Sequence, residues 1–303
     1  MTSGTQSPPA TVFRTASGGV SLLSWPALDA SRAGAAVTAR SGGVSRGPYA
    51  TLNLSLSVGD DPACVLENRR RLAAAIGARP QDFVWARQVH GAGVRVVDGA
   101  DAGSGAFGLD DAIANADALV TRTPGVVLAI LTADCVPIVL HDPVVGVLAC
   151  VHAGWRGTVA GVSAAALTAM KTLGAHPQDV VAGIGPAIAP ASYQVGPDVY
   201  EGVARSFGSA APAFIHPDTV PDRWLLDLWA ANRHALHQAG VPDHQIHTTP
   251  TPTGPSTTTG PAGPADAAGP TSFFSDRAAR PCGRLALVAR LRRPGADSMN
   301  VTL

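Results

Sequence analysis

Three apolar runs dominate the middle of the chain: Val126–Leu131, Val136–Leu140 and Val145–Val151. They are rich in β-branched residues, of strand length, and separated by short turns. Such runs suit the central strands of a sheet. None approaches the roughly 18 residues that span a bilayer. The N-terminus shows no basic segment followed by a long apolar core, so no secretory signal is visible. The expectation is a soluble, intracellular, cytoplasmic protein.

The rest of the 303-residue chain supplies what would cover such a sheet. Residues 1–34 are polar and rich in Gly, Ser and Pro, and read as a flexible N-terminal arm. A first strand is expected near Ala35–Arg40 and another at Leu52–Leu56, which alternates apolar and polar residues. Asp60-Asp61-Pro62 marks a helix start, and the helix runs to about Ile76, where Gly77 stops it. Further strands fall near Phe83–Ala86, Gly93–Val97, Ala118–Thr121, Val180–Ile184 and Leu285–Leu291. Phe273-Phe274-Ser275 also has strand character. Helices are expected over Thr158–Leu173, Pro197–Phe207 and Leu225–Ala239. Residues 249–270 are nearly all Thr, Pro, Gly, Ala and Ser, and read as a mobile low-complexity insertion. Together these predict one α+β domain over 35–303, with helices outside the sheets.

Composition narrows the partners. Hydrophobic residues make up 46% and charged residues 15%, as in a globular chain, and the formal net charge is zero. No basic field exists to hold nucleic acid or an anionic membrane. The four cysteines, Cys64, Cys135, Cys150 and Cys282, are scattered without a close pair, which is no disulfide framework.

Three segments carry chemistry-bearing residues at predicted strand ends: Gln88-Val89-His90-Gly91, Thr132-Ala133-Asp134-Cys135-Val136-Pro137, and Val151-His152-Ala153-Gly154-Trp155-Arg156-Gly157. Strand ends are where side chains from separate segments converge. Two imidazoles and a thiolate, from His90, Cys135 and His152, make a three-ligand set for a catalytic zinc with an open fourth position. Their spacing matches no local metal motif. Two other readings stay open: a buried Cys135 with two hydrogen-bonded histidines, or a thiol nucleophile, Cys135 activated by His90 or His152.

Residues 40–53, 59–71, 85–91, 117–142, 151–157, 183–195 and 273–284, with their QVHG, TADCVP and VHAGWRGT runs, resemble the laccase-domain family, also called YfiH-like or multicopper polyphenol oxidase-like. The resemblance extends from about residue 35 to about 292. It implies a mixed-sheet α/β/β/α sandwich and a zinc held by His90, Cys135 and His152. It further implies phosphorolysis of adenosine, inosine and methylthioadenosine and deamination of adenosine, the work of a glycosyltransferase and a hydrolase. Some members are linked instead to editing of peptidoglycan precursors by an amidase, and the polyphenol-oxidase name implies copper. The sequence departs from the family where cysteines are common, having Ala and Ser across residues 185–193.

Phosphorolysis needs an anion site, and Arg40, Arg156 and Arg277 are the candidates, since a guanidinium donates two parallel hydrogen bonds to phosphate. Arg156 and Asp134 are the catalytic candidates. Asp134 is placed either as the proton shuttle of deamination or as a carboxylate orienting a histidine ligand. Asn53 and Gln88 are expected to bind base or ribose, with turn capping as the alternative, and Asn68 is expected to be structural. The partners implied are a small nucleoside and phosphate. Copper oxidation fits less well: the nine histidines form no His-x-His pair, and Met1, Met170 and Met299 lie far from the motifs.

Overall fold

The computed structural model describes residues 11–29, 32–254 and 273–292. The chain opens with strands β1 (Val12–Thr15) and β2 (Ser21–Ser24), a short helix α1 (Pro26–Asp29) and β3 (Ala33–Thr38). Next come α2 (Pro62–Ala75), β4 (Phe83–Arg87), β5 (Val94–Val96), β6 (Ile113–Ala114) and β7 (Ala118–Thr121). The three apolar runs form β8 (Val127–Thr132), β9 (Val136–Asp142) and β10 (Val147–Ala153). Then follow α3 (Trp155–Val159), α4 (Val162–Thr172), β11 (Val181–Ile184), β12 (Gln194–Val195) and α5 (Pro197–Phe207). The remaining elements are β13 (Ile215–Pro217), β14 (Trp224–Leu226), α6 (Leu228–Gln238), β15 (Ile246–Thr248) and β16 (Leu285–Leu291).

One sheet has the order β1-β2-β3-β16-β8-β4-β6, a second β15-β11-β9-β10-β7-β5, and a small third β12-β14-β13. Both large sheets are mixed: β8 pairs antiparallel with β16 and parallel with β4, while β10 pairs antiparallel with β9 and β7, and β5 runs parallel to β7.

The period of two along each strand explains the layering. Leu128 and Ile130 of β8, with Leu285 and Leu287 of β16, meet Val139, Leu148 and Cys150 of the second sheet in a shared core. The alternate residues Val127, Ala129 and Val288 face Leu72 and Ile76 on the side of α2. Ile138, Leu140, Ala149 and Val151 face Val162, Ala166 and Met170 of α4 and Leu236 of α6. The result is the expected α/β/β/α sandwich. Because β8, β9 and β10 are buried on both faces, their sequences are apolar at nearly every position. No helix among the described residues is long and apolar enough to cross a membrane.

Several expectations are corrected. The arm expected over 1–34 is structured where it is described: β1 and β2 form an antiparallel hairpin that extends the first sheet next to β3. Residues 1–10 lie outside the described residues. Leu52–Leu56 is not a strand. Leu52 and Leu54 are buried against α2, and the Asn53 amide takes the hydrogen bonds that a ladder would have made. The helix expected over Thr158–Leu173 is two helices, broken at Gly161, whose φ of 77° no right-handed helix accommodates. Phe273 and Phe274 anchor a loop in the inter-sheet core and form no strand. Of the insertion expected over 249–270, residues 249–254 are described. Thr249 and Thr253 are buried, and the segment runs along the end of β11, with Thr249 N donating to Ile184 O and Thr253 N to Ala187 O. Residues 255–270 lie outside the described residues.

Candidate metal centre

The ends of β4, β8, β9 and β10 bring three loops together. Ala133-Asp134-Cys135 is the tight turn between β8 and β9. Asp134 adopts a left-handed φ of 81°, a region that Asp tolerates better than most residues. His90 lies just past β4, also left-handed at φ 61°. His152 sits near the end of β10, opposite Pro137 of β9. The ligand atoms of His90, Cys135 and His152 all lie within 4.8 Å of one another. The two imidazoles stand edge to face, with centroids 4.8 Å apart. His152 is buried, Cys135 half-buried and His90 exposed, so the group opens to solvent on the His90 side.

Two further features shape the cluster. Gly154, the residue before α3, is in close approach: a Cβ there would stand 2.8 Å from the Cys135 sulfur. Asp117 is wholly buried at the head of β7. Its carboxylate accepts from the backbone N–H groups of His90 (2.9 Å), Gly91 (2.7 Å) and Val89 (3.3 Å), and lies 2.9 Å from Nδ1 of His152. That bond leaves Nε2 as the free ring nitrogen of His152.

The electrostatics favour a thiolate. Burial pushes the Cys135 thiol up, but the charge and hydrogen bonds of His152 and His90 outweigh it and hold the thiol below its ordinary range. Burial pushes His152 down, and the Cys135 sulfur and Asp117 more than reverse that. A thiolate beside imidazole is both a metal ligand and a nucleophile.

The other expected residues divide. Arg156 is exposed and lies over the Trp155 ring, 4.4 Å from its centroid. Arg277 is exposed over Tyr193 at 5.3 Å and donates to Gln194 O. Arg40 turns Nε and Nη2 to Ala50 O, 2.9 and 2.7 Å away, against the Phe274 ring. Gln88 pairs its amide in both directions with the Leu131 backbone at 2.7 Å, extending β8 sideways. Asn53 is wholly buried, and its amide makes four hydrogen bonds, to Ser55 O, Asp60, Ser55 N and Arg284 N. That uses its full capacity, an arrangement that matches the turn-capping alternative for Asn53. Asn68 is structural as expected, bonding Val44 N, Ser45, Thr51 O and Asn53 O. Asp134 accepts from the Thr253 hydroxyl at 2.5 Å and from Arg277 N at 2.7 Å. It therefore clamps two loops to the Cys135 turn, and the carboxylate within hydrogen-bond distance of a clustered histidine ring is Asp117.

Sequence reasoning missed Asp117, Thr253 and Tyr193. Tyr193 is half-buried, and burial and then the nearby Cys135 charge raise its hydroxyl above the ordinary range. The one signal for Asp117 was a lone acid heading an apolar strand.

The family model described as multi-copper polyphenol oxidoreductase laccase matches residues 34–292. The chain belongs to this laccase family. Among its relatives, a purine nucleoside phosphorylase of Deinococcus radiodurans is 46% identical over 211 residues, 69% of this chain and 76% of that protein. Purine nucleoside phosphorylase YlmD of Geobacillus stearothermophilus is 39% identical over 217 residues, 71% of this chain and 78% of that protein. The crystal structure of YlmD from that organism superposes with a TM-score of 0.83 at 34% identity, covering 93% of this chain and 100% of YlmD. YfiH of Bacillus licheniformis gives 0.82 at 30% identity, covering 92% and 99%. These laccase-family structures have the same mixed α+β architecture.

Proposed function

We propose that the chain is a zinc enzyme of purine nucleosides, which cleaves adenosine, inosine and methylthioadenosine by phosphorolysis and deaminates adenosine. The observation that carries this reading is the convergence of two imidazoles and a thiol at a solvent-open point, in a family whose relatives bear the name purine nucleoside phosphorylase.

The donor set fits zinc. A thiolate and two imidazoles are its preferred ligands, and the bare Gly154 keeps the space beside the sulfur free. His90, Cys135 and His152 would hold the ion, which when bound would supply a Lewis acid. Copper fits less well: the described residues hold one such group of three, and the buried Met170 packs in the α4 core. In phosphorolysis the bond from the ribose C1′ to the purine nitrogen breaks, and a phosphate oxygen bonds C1′. Arg156 and Arg277 lie over the Trp155 and Tyr193 rings, both act with Cys135 on the Tyr193 hydroxyl, and are the groups that would grip the phosphate. Arg40 is turned to Ala50.

One observation favours a second reading. Cys135, His152 and Asp117 form a hydrogen-bonded line, the arrangement of a thiol acyl-transfer enzyme, which would serve a cell-wall precursor amidase.

The test is product analysis with adenosine and inosine, with and without inorganic phosphate. Free base and ribose-1-phosphate formed only with phosphate support phosphorolysis. Inosine formed from adenosine without phosphate supports deamination. Zinc-loaded protein that turns over neither nucleoside would overturn the reading in favour of the amidase.

A further inference from the structure

Asp117 shares no motif with the three clustered side chains, yet it touches two of their segments. Its side chain is wholly buried, and among the described residues its one ion-pair partner is His152. A carboxylate is costly to bury unless several donors meet it. Here the donors are the successive backbone N–H groups of Val89, His90 and Gly91 together with the His152 ring.

Each set of bonds fixes one degree of freedom of the cluster. The backbone bonds hold His90 in the left-handed region at φ 61°. A residue with a side chain adopts that conformation infrequently, so the three bonds to Asp117 help to hold it. The ring bond makes Nδ1 of His152 the protonated nitrogen and turns Nε2 toward Cys135 and His90. The backbone of β10 reinforces the arrangement, since His152 N donates to Asp117 O at 2.7 Å.

We propose that Asp117 is a positioning residue for the zinc site: it sets the His152 tautomer and the His90 backbone together, and so determines metal affinity. The proposal rests on the zinc reading above. It gives the buried carboxylate a task beyond holding the fold.

The experiment measures zinc affinity by competition with a chromogenic chelator, for wild type and Asp117→Asn, at a temperature where circular dichroism shows both folded. The amide keeps the shape but turns a donor toward donors. Zinc binding is expected to weaken about 10- to 100-fold. A folded Asp117→Asn that binds zinc within twofold of wild type, even with a lowered melting temperature, would show a merely structural role and overturn the proposal. Nitrogen-correlated NMR of the histidine rings in zinc-loaded wild type decides the matter if the variant does not fold. A protonated Nδ1 and metal-bound Nε2 on His152 are expected, and the reverse pattern overturns the proposal. Wild type that takes up no zinc sinks the zinc reading and this proposal with it, whereas zinc-binding wild type with an unaffected variant sinks the Asp117 role alone.

Discussion

Gly154 limits how near the chain can pass to the ligands. A Cβ there would also stand 3.4 Å from the His90 ring, so Gly154→Ala must displace the sulfur, the ring or the turn. The expected outcome is a folded protein with a near-unchanged melting temperature that holds much less zinc. Full metal occupancy in that variant would contradict this crowding. Asn53 tests the opposite case, a motif residue whose role is structural. Asn53→Ala orphans the backbone N–H groups of Ser55 and Arg284 along with Ser55 O, and takes one of three donors from the Asp60 carboxylate, which keeps Ser45 and Asp61 N. It should lose on the order of 3 kcal/mol in urea unfolding while zinc content per folded chain stays the same. A nucleoside KM raised many-fold, without loss of stability, would restore the ligand-binding role. Both residues stand in legible runs, but no spacing distinguishes a glycine packed against a thiol and an imidazole from one in a turn, or a buried amide from a binding one.

Among the elements, β8, β9 and β10 were legible because burial on two faces leaves no polar position to blur the pattern. The hairpin of β1 and β2 was not. Phe13, Arg14 and Thr15 are exposed at the edge of the sheet, so its sequence reads like a loop. The break between α3 and α4 depends on the single left-handed Gly161, in a stretch where Gly and Ala are common. Strand β9 also carries a pH-dependent element. His141 is buried, and burial, opposed weakly by Asp142, lowers its pKa from 6.5 to about 4. Between those values the unfolded chain binds a proton that the fold refuses, so stability falls as pH drops from 6.5 toward 4. The loss is at most about 1.4 kcal/mol per pH unit, and His141 contributes no slope above or below that window. His141→Gln should remove this part of the slope, read from urea midpoints at pH 7 and pH 4.5. Parallel profiles for variant and wild type would refute the assignment.

At the scale of the whole molecule, the layers carry the apolar burial and the strand ends carry the chemistry. The cluster draws on four strands, and residues 249–253 and 273–278 are fastened to it through Asp134. The three clustered residues were legible as a set through the resemblance of their runs to a family. Asp117 was not, because it meets His152 across 35 residues of sequence, through a fold no local pattern encodes. The clamp makes a prediction at this scale. Asp134→Ala frees Thr253 and Arg277 N, and should lower phosphate-dependent turnover at least tenfold while leaving zinc bound. Unchanged turnover would show that the clamped loops take no part in the reaction. The central claim is that His90, Cys135 and His152 hold one zinc on which nucleoside cleavage depends. Its most direct test is elemental analysis of wild type and Cys135→Ala, paired with phosphate-dependent release of base from inosine. The account predicts close to one zinc per wild-type chain, and loss of both zinc and base release in the variant. A wild type without zinc, or a Cys135→Ala variant that still cleaves inosine, would contradict it.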